Sequence, residues 1–136
     1  MKNAGCLLLL FPLFTLFSFQ CYKEDPDVYY VKYIADGKST IQQANPNGLK
    51  IFINDENAGV KEFIRSNRGE NEFTIGPVRK GFISRVAILN ICPPLDCYIR
   101  PFLQIQISQN DGPFIIKKEL ITTQYTNDAA IDFIID

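Results

Sequence analysis

Two cysteines in the second half of the chain are close enough in sequence to react with each other. Cys92 and Cys97 enclose Pro93-Pro94-Leu95-Asp96, and the two prolines restrict the intervening chain. We expect a disulfide, which in so short a loop adds about 2 kcal/mol of stability. A free buried pair and a redox or metal pair are the alternatives. Against the last, thioredoxin-like motifs have two residues between cysteines, and zinc needs four ligands where only Asp96 is added locally.

A loop closed in this way is stiff, and stiff loops can present side chains to a partner. The contact candidates here are Leu95, Asp96 and Tyr98. Tyr30 is a further candidate, because strand alternation sends its neighbour Tyr29 inward and leaves Tyr30 on the surface. An exposed tyrosine can stack on a sugar or anchor an interface, although packing in the core or at its rim is the favoured interpretation.

The ionisable residues offer little acid–base chemistry. The 136 residues include no histidine, which removes the commonest general base, the Ser-His and Cys-His nucleophiles and every imidazole metal site. Carboxylates occur in pairs, and we expect Glu70 and Glu72 to form exposed ion pairs with Arg65 and Lys61 across a hairpin. We therefore predict that the protein is not an enzyme and has no catalytic residue, cofactor or metal ligand.

The N-terminus has the pattern of an export segment that ends at a cysteine. Ten of the thirteen residues from Leu7 to Phe19 are Leu or Phe, a run too short for the ~30 Å hydrocarbon core of a bilayer. Cys21 follows it directly, so its thiol emerges at the membrane surface, where it can be acylated. We predict a signal peptide over 1–20, a lipidated Cys21 with an acidic tether over 21–27, and a folded domain over 28–136. Ordinary cleaved secretion and an uncleaved anchor are the alternatives.

The rest of the chain favours β-structure. After residue 20 it contains 18 isoleucines and 5 leucines, and β-branched residues favour strands. No stretch keeps a helical period over three turns, whereas period-two runs bounded by turn residues recur. We predict eight strands, at 28–35, 49–54, 60–65, 70–75, 82–91, 102–108, 114–120 and 130–135. Gly76-Pro77 is expected to end the fourth, and Asn110-Asp111-Gly112 to form a hairpin turn.

Eight short strands without a helix predict an all-β, antiparallel β-sandwich of immunoglobulin-like or transthyretin-like type. A small barrel is the main structural alternative. Charge gives no case for nucleic acid, because 14 basic residues face 15 acidic ones.

Four features of the chain together resemble small Bacteroidota-type lipoproteins with one immunoglobulin-like sandwich. They are the lipoprotein-type start, Tyr30-Val31-Lys32-Tyr33, the run from Leu49 to Asn57 and the late Asn110-Asp111-Gly112 turn. The pattern is also distantly similar to MmpS-like membrane-anchored accessory proteins. The residue before Cys21 is Gln20, where such lipoproteins usually have Gly, Ala or Ser.

The resemblance implies an outer-membrane lipoprotein of the cell envelope, held by its lipid (palmitate) and exposed on the surface by the acidic tether, with secretion as the alternative. We expect a binding or accessory role, with an envelope protein or glycan as partner. The alternative role is a structural or inhibitory protein that docks a partner through an edge strand or the Cys92–Cys97 loop.

Overall fold

The structure is a computed structural model that describes residues 26–39, 45–91 and 98–136. Eight β-strands account for most of these residues. Their bounds are β1 Tyr29–Asp36, β2 Leu49–Asn54, β3 Val60–Arg65, β4 Asn71–Val78, β5 Ile83–Asn90, β6 Phe102–Gln109, β7 Ile115–Ile121 and β8 Asp128–Ile134.

The strands form two four-stranded antiparallel sheets. Sheet A has the order β4-β1-β6-β7, and sheet B has the order β3-β2-β5-β8. The predicted antiparallel β-sandwich is confirmed. Its strand order differs from that of an immunoglobulin constant domain, in which the first two strands lie side by side, because here β1 and β2 belong to different sheets.

The core lies between the sheets and follows the two-residue period of the strands. Tyr29, Val31, Tyr33 and Ala35 of β1 are buried, as alternation predicts, and they belong to the core between the two sheets. The Tyr33 hydroxyl crosses the core and donates a hydrogen bond to the backbone carbonyl of Asn54, 3.0 Å away. The core residues are Tyr29, Val31, Tyr33, Ala35, Leu49, Ile51, Ile53, Ile75, Val78, Val86, Ile88, Ile99, Leu103, Ile105, Ile107, Ile131 and Ile135.

The hairpin between β6 and β7 forms at the predicted turn. Asn110 and Asp111 both have positive φ values, 48° and 60°, and the Gly112 N–H donates to the carbonyl of Gln109 at 2.9 Å. Two central residues of positive φ define a type I′ turn, whose twist matches that of the adjoining strands.

The prediction that Gly76-Pro77 ends the fourth strand is wrong. β4 continues through a cis Gly76-Pro77 bond to Val78, with an irregularity in its pairing to β1. Proline is tolerated there because β4 is an edge strand, so the N–H that proline lacks can point away from the ladder.

The predicted partners of the glutamates are also wrong, because β3 and β4 lie in different sheets rather than forming one hairpin. Glu72 pairs with Lys32 of β1 at 3.3 Å, and Lys61 pairs with Glu56 at 3.6 Å. Phe63 of β3 instead stacks on Phe73 of β4, with ring centroids 4.4 Å apart, and this contact closes one side of the sandwich.

The sandwich has two ends, which the first strand defines. The near end is where β1 begins, together with Pro26, Asp27 and the β4–β5 and β6–β7 turns. The far end is where β1 finishes, and there Gly37 accepts a hydrogen bond from the N–H of Arg100 at 2.9 Å. The segments that precede β6 and β8 meet at the far end.

Candidate functional site

An isolated β-bridge at the far end brings two distant segments together. Ile99 and Thr126 exchange two backbone hydrogen bonds, of 3.2 and 3.0 Å, so they are directly opposite each other in an antiparallel pair. Ile99 is fully buried and fixes the inward side of the bridge. Strand alternation therefore turns Tyr98, Arg100 and Tyr125 to the outward side.

Tyr98, Arg100 and Tyr125 form an aromatic and cationic group that we call the far-end cluster. The two tyrosine rings have centroids 6.3 Å apart at an interplanar angle of 41°. The Arg100 guanidinium carbon lies 5.4 Å from the centroid of the Tyr125 ring, within the range of a cation–π contact. Tyr98 is 50% exposed and Tyr125 is 58% exposed, so much of both side chains remains open to solvent.

The loop that carries Tyr125 has further exposed polar side chains. Asn127 is exposed and, by the same alternation, shares the outward side of the bridge. Thr123 and Gln124 are exposed as well. The Thr126 hydroxyl is used locally, since it donates to the carbonyl of Asp128 at 3.0 Å. The cluster and the adjacent Asn127 therefore combine two ring surfaces, a guanidinium group and an amide.

This arrangement is suited to binding. An exposed tyrosine offers an apolar ring with a polar hydroxyl, and Tyr and Arg are frequent among the residues that dominate interface energies. Arg100 forms no ion pair with any carboxylate in the ranges that the structure describes.

Tyr98 is the predicted contact residue that takes part in the cluster. Tyr30 lies elsewhere: it is half-buried on the outer face of sheet A, and its ring lies against Gly76, where an added Cβ would be 2.6 Å from the Tyr30 Cδ1 atom. The other predicted site residues lie outside the described residues; they are Cys21, Cys92, Leu95, Asp96 and Cys97.

Sequence reasoning missed Arg100, Tyr125 and Asn127. The bridge joins residues 99 and 126, and nothing in either local pattern reveals that pairing. The available signal was Tyr125 itself, a large aromatic residue within the polar stretch Thr122-Thr123-Gln124-Tyr125-Thr126-Asn127.

A second feature is the outer face of sheet B, which exposes aliphatic side chains from three strands. An open cleft of about 610 Å³ lies at one end of this face, and Arg85 is the charged residue in its lining. The cleft is lined by Asn54, Ala58, Val60, Gly81, Phe82, Ile83 and Arg85. The exposed aliphatic residues of the face are Val60, Ile64, Ile83, Leu89 and Ile134.

A smaller cavity of about 90 Å³ lies between β7 and β8, on the side of the sandwich opposite the Phe63–Phe73 contact. Lys117 and Asp136 contribute its charged groups, and Tyr29, Ile107 and Phe133 form part of its apolar wall. Neither this cavity nor the cleft on sheet B is lined by two carboxylates.

Several carboxylates have local structural roles. Asp55 accepts hydrogen bonds from the backbone N–H groups of Asn57 and Gly59, at 3.0 and 2.8 Å, and so holds the β2–β3 turn. Within the described ranges no three His, Cys, Asp or Glu side chains come close enough to hold a metal ion. The same residues include no helix long and apolar enough to cross a membrane.

Two pKa shifts mark groups with a structural role. Hydrogen bonds from Asn110 and Gln109 hold the pKa of Asp27 below its ordinary 3.8. Burial raises the pKa of Tyr33 above its ordinary 10.0. The first group lies at the near end and the second in the core, so neither belongs to the far-end cluster.

Comparison with protein-family models and with curated proteins finds no match to this chain. The fold and the chemistry of the surface are therefore the grounds for assigning a function.

Proposed function

We propose that this protein is a lipid-anchored, non-catalytic binding protein of the cell envelope, which presents the far-end cluster away from the membrane. The observation that carries the proposal is the difference between the two ends of the sandwich. The segment leading back toward Cys21 is attached at the near end, while Tyr98, Arg100 and Tyr125 are exposed at the opposite end.

The attachment at the near end consists of specific hydrogen bonds. The Asn110 side chain accepts from the Val28 N–H at 3.0 Å and donates to the Asp27 carboxylate at 2.8 Å. The Arg79 guanidinium donates to the Pro26 carbonyl at 3.1 Å. Pro26 and Asp27 are thus hydrogen-bonded to the sandwich. Under this proposal, the segment between Cys21 and Pro26 is the tether that connects the sandwich to the membrane.

That segment is short compared with the domain. Five residue steps from Cys21 to Pro26 span at most about 18 Å when fully extended. The eight residues of β1 cover about 26 Å from the near end to the far end. A lipid on Cys21 would therefore hold the near end beside the bilayer and direct the far end outward.

The resemblance to Bacteroidota-type lipoproteins supports an outer-membrane location, with Cys21 as the lipid-bearing residue. A disulfide between Cys92 and Cys97 belongs to the same proposal, because it fits an oxidising compartment and would stiffen the chain directly before Tyr98. The structural roles of Asp55, Glu56 and Glu72 in turns and ion pairs support a non-catalytic role.

The anchor is tested by expressing Cys21→Ala in a bacterium that processes lipoproteins and partitioning the cell extract with a phase-separating detergent. We expect the natural chain in the detergent phase with incorporated palmitate, and Cys21→Ala without palmitate in the aqueous phase. Cys6→Ala is the matched control, because Cys6 lies in the predicted signal peptide and its loss should change nothing. Palmitate on Cys21→Ala, or its retention in the detergent phase, would contradict the anchor.

A second candidate function is the docking of an extended protein segment on β8. β8 is an edge strand that pairs with β5 in register throughout, without a bulge. β8 contains neither proline nor lysine. β7, the edge strand of sheet A on the same side of the sandwich, has a pairing irregularity and the adjacent Lys117 and Lys118. Lysines and bulges discourage strand addition, so β8 is the more open of these two edges.

A further inference from the structure

We propose that the far-end cluster is a binding site for a pyranose glycan, with Tyr98 and Tyr125 stacking on sugar rings and Arg100 and Asn127 hydrogen bonding to their hydroxyl groups. This inference specifies the ligand class of the proposed binding function and rests on it.

The two rings supply the apolar part of the site. A pyranose ring has a C–H face that packs on an aromatic ring and a rim of hydroxyl groups that must keep their hydrogen bonds. Tyr98 and Tyr125 are neighbours at 6.3 Å and tilted by 41°, so they form two adjoining platforms rather than one flat surface. The Arg100 guanidinium carbon lies over the Tyr125 ring, 5.4 Å from its centroid, so its N–H donors lie beside the same ring.

The polar groups at the cluster match the rim of a sugar. Hydroxyl groups both donate and accept, so a site for them needs both kinds of partner. The Arg100 guanidinium supplies donors only, and the amide of Asn127 supplies donors and acceptors. The side chains of Asn127 and Gln124 are exposed, and neither makes a hydrogen bond to another described residue.

The surroundings favour a glycan over a protein as the occupant. The buried core of a protein interface is more apolar than the rest of the surface. The loop around Tyr125 instead supplies exposed Thr123, Gln124 and Asn127.

The experiment is isothermal titration of the purified full chain, held in a polyoxyethylene detergent that has no sugar headgroup. The probes are hexasaccharides of β-1,4-glucose, α-1,4-glucose, β-1,4-N-acetylglucosamine, β-1,4-xylose and β-1,4-mannose. We expect at least one to bind with a Kd below about 1 mM, which corresponds to about −4 kcal/mol. Tyr125→Ala should weaken that binding at least tenfold.

Matched variants separate ring stacking from a general effect on folding. Tyr125→Phe keeps the ring and should bind within about threefold of the natural chain. Ile134→Ala removes an exposed side chain elsewhere and should leave the Kd unchanged. Thermal unfolding of Tyr125→Ala should match that of Tyr125→Phe, so that a loss of binding reports the site and not the fold.

The proposal is overturned if none of the five hexasaccharides binds at 10 mM, or if the best of them binds equally well to a Tyr98→Ala/Tyr125→Ala double variant. It is also overturned if a photo-crosslinker at position 125 attaches to a protein partner in intact cells. These outcomes are independent of the Cys21 partitioning test, so failure of the glycan site and failure of the anchor are distinguishable.

Discussion

The Tyr33 hydroxyl is a hydrogen-bonding group that joins the two sheets through the core, and Tyr33→Phe removes it without changing the ring. Tyr33 is fully buried, and its hydroxyl donates to the Asn54 carbonyl at 3.0 Å. A neutral hydrogen bond contributes about 1 kcal/mol net to stability. Asn54 is only half-buried, so water can partly replace the lost donor. We therefore expect Tyr33→Phe to lower the free energy of unfolding at pH 7 by about 1 kcal/mol.

The same substitution should change the response to alkaline pH. Burial raises the pKa of Tyr33 above 10.0, so the unfolded chain releases this proton at a lower pH than the folded chain does. The contribution of neutral Tyr33 to stability is complete below pH 10 and is lost as the pH rises above it. The loss approaches at most 1.4 kcal/mol for each pH unit. Because Tyr33→Phe lacks this group, its disadvantage at pH 7 should shrink above pH 10.

The assay is urea unfolding followed by far-ultraviolet circular dichroism between pH 7 and pH 11. Tyr30→Phe is the control: it removes the hydroxyl of a half-buried tyrosine on the outer face of sheet A, which makes no hydrogen bond to another described residue. It should change stability by less than about 0.5 kcal/mol. If Tyr33→Phe is as stable as the natural chain at pH 7, or if the two lose stability in parallel above pH 10, the assigned role of the hydroxyl is wrong.

Two further predictions concern the backbone. Gly76→Ala places a Cβ 2.6 Å from a ring carbon of Tyr30, at a residue whose φ is 138°. Gly81 also has a positive φ, 88°, but an added Cβ there meets no atom within 4 Å. Gly76→Ala should therefore lower the stability more than Gly81→Ala does. Equal midpoints of urea unfolding for these two variants would show that the contact with Tyr30 is unimportant. Asn110→Gly keeps the positive φ of the turn but removes both side-chain bonds to the near-end segment, and it should speed amide exchange at Val28 and cost about 1 kcal/mol. Asp111→Gly changes the neighbouring turn position but leaves those two hydrogen bonds in place, so amide exchange at Val28 should not change. Similar exchange rates at Val28 in Asn110→Gly and Asp111→Gly would contradict this attachment.

Much of the fold was predictable because each sheet has one buried face and one face toward solvent, so apolar and polar residues alternate along its strands. β2 and β3 match their predicted limits at Leu49–Asn54 and Val60–Arg65, since polar turns bound both runs. The burial of Tyr29 and Tyr33 followed from the alternation of β1. β4 was predicted too short, because the sequence does not reveal that its Gly76-Pro77 lies on an edge where the strand can continue.

The candidate site was predictable only in part. Tyr98 was chosen because it follows the Cys92–Cys97 loop, whereas the structure gives it a different context beside Tyr125. Tyr30 was chosen from alternation, and its ring is half-buried against Gly76 at a distance from the cluster. Local patterns identify which side of a strand a residue takes, but not which distant loop lies next to it.

The amino-acid sequence by itself determined the class of structure, because β-branched residues at a two-residue period with turn residues between them can bury their apolar side only in packed sheets. It also determined the type I′ turn at Asn110 and Asp111, since that turn depends on the local φ preferences of the residues that form it. The tertiary structure alone decided which strands pair and that Glu72 forms an ion pair with Lys32. It alone also brought Tyr98, Arg100 and Tyr125 into contact. These contacts join residues far apart in the chain, and the free energy that selects them comes from packing the two sheets as a whole.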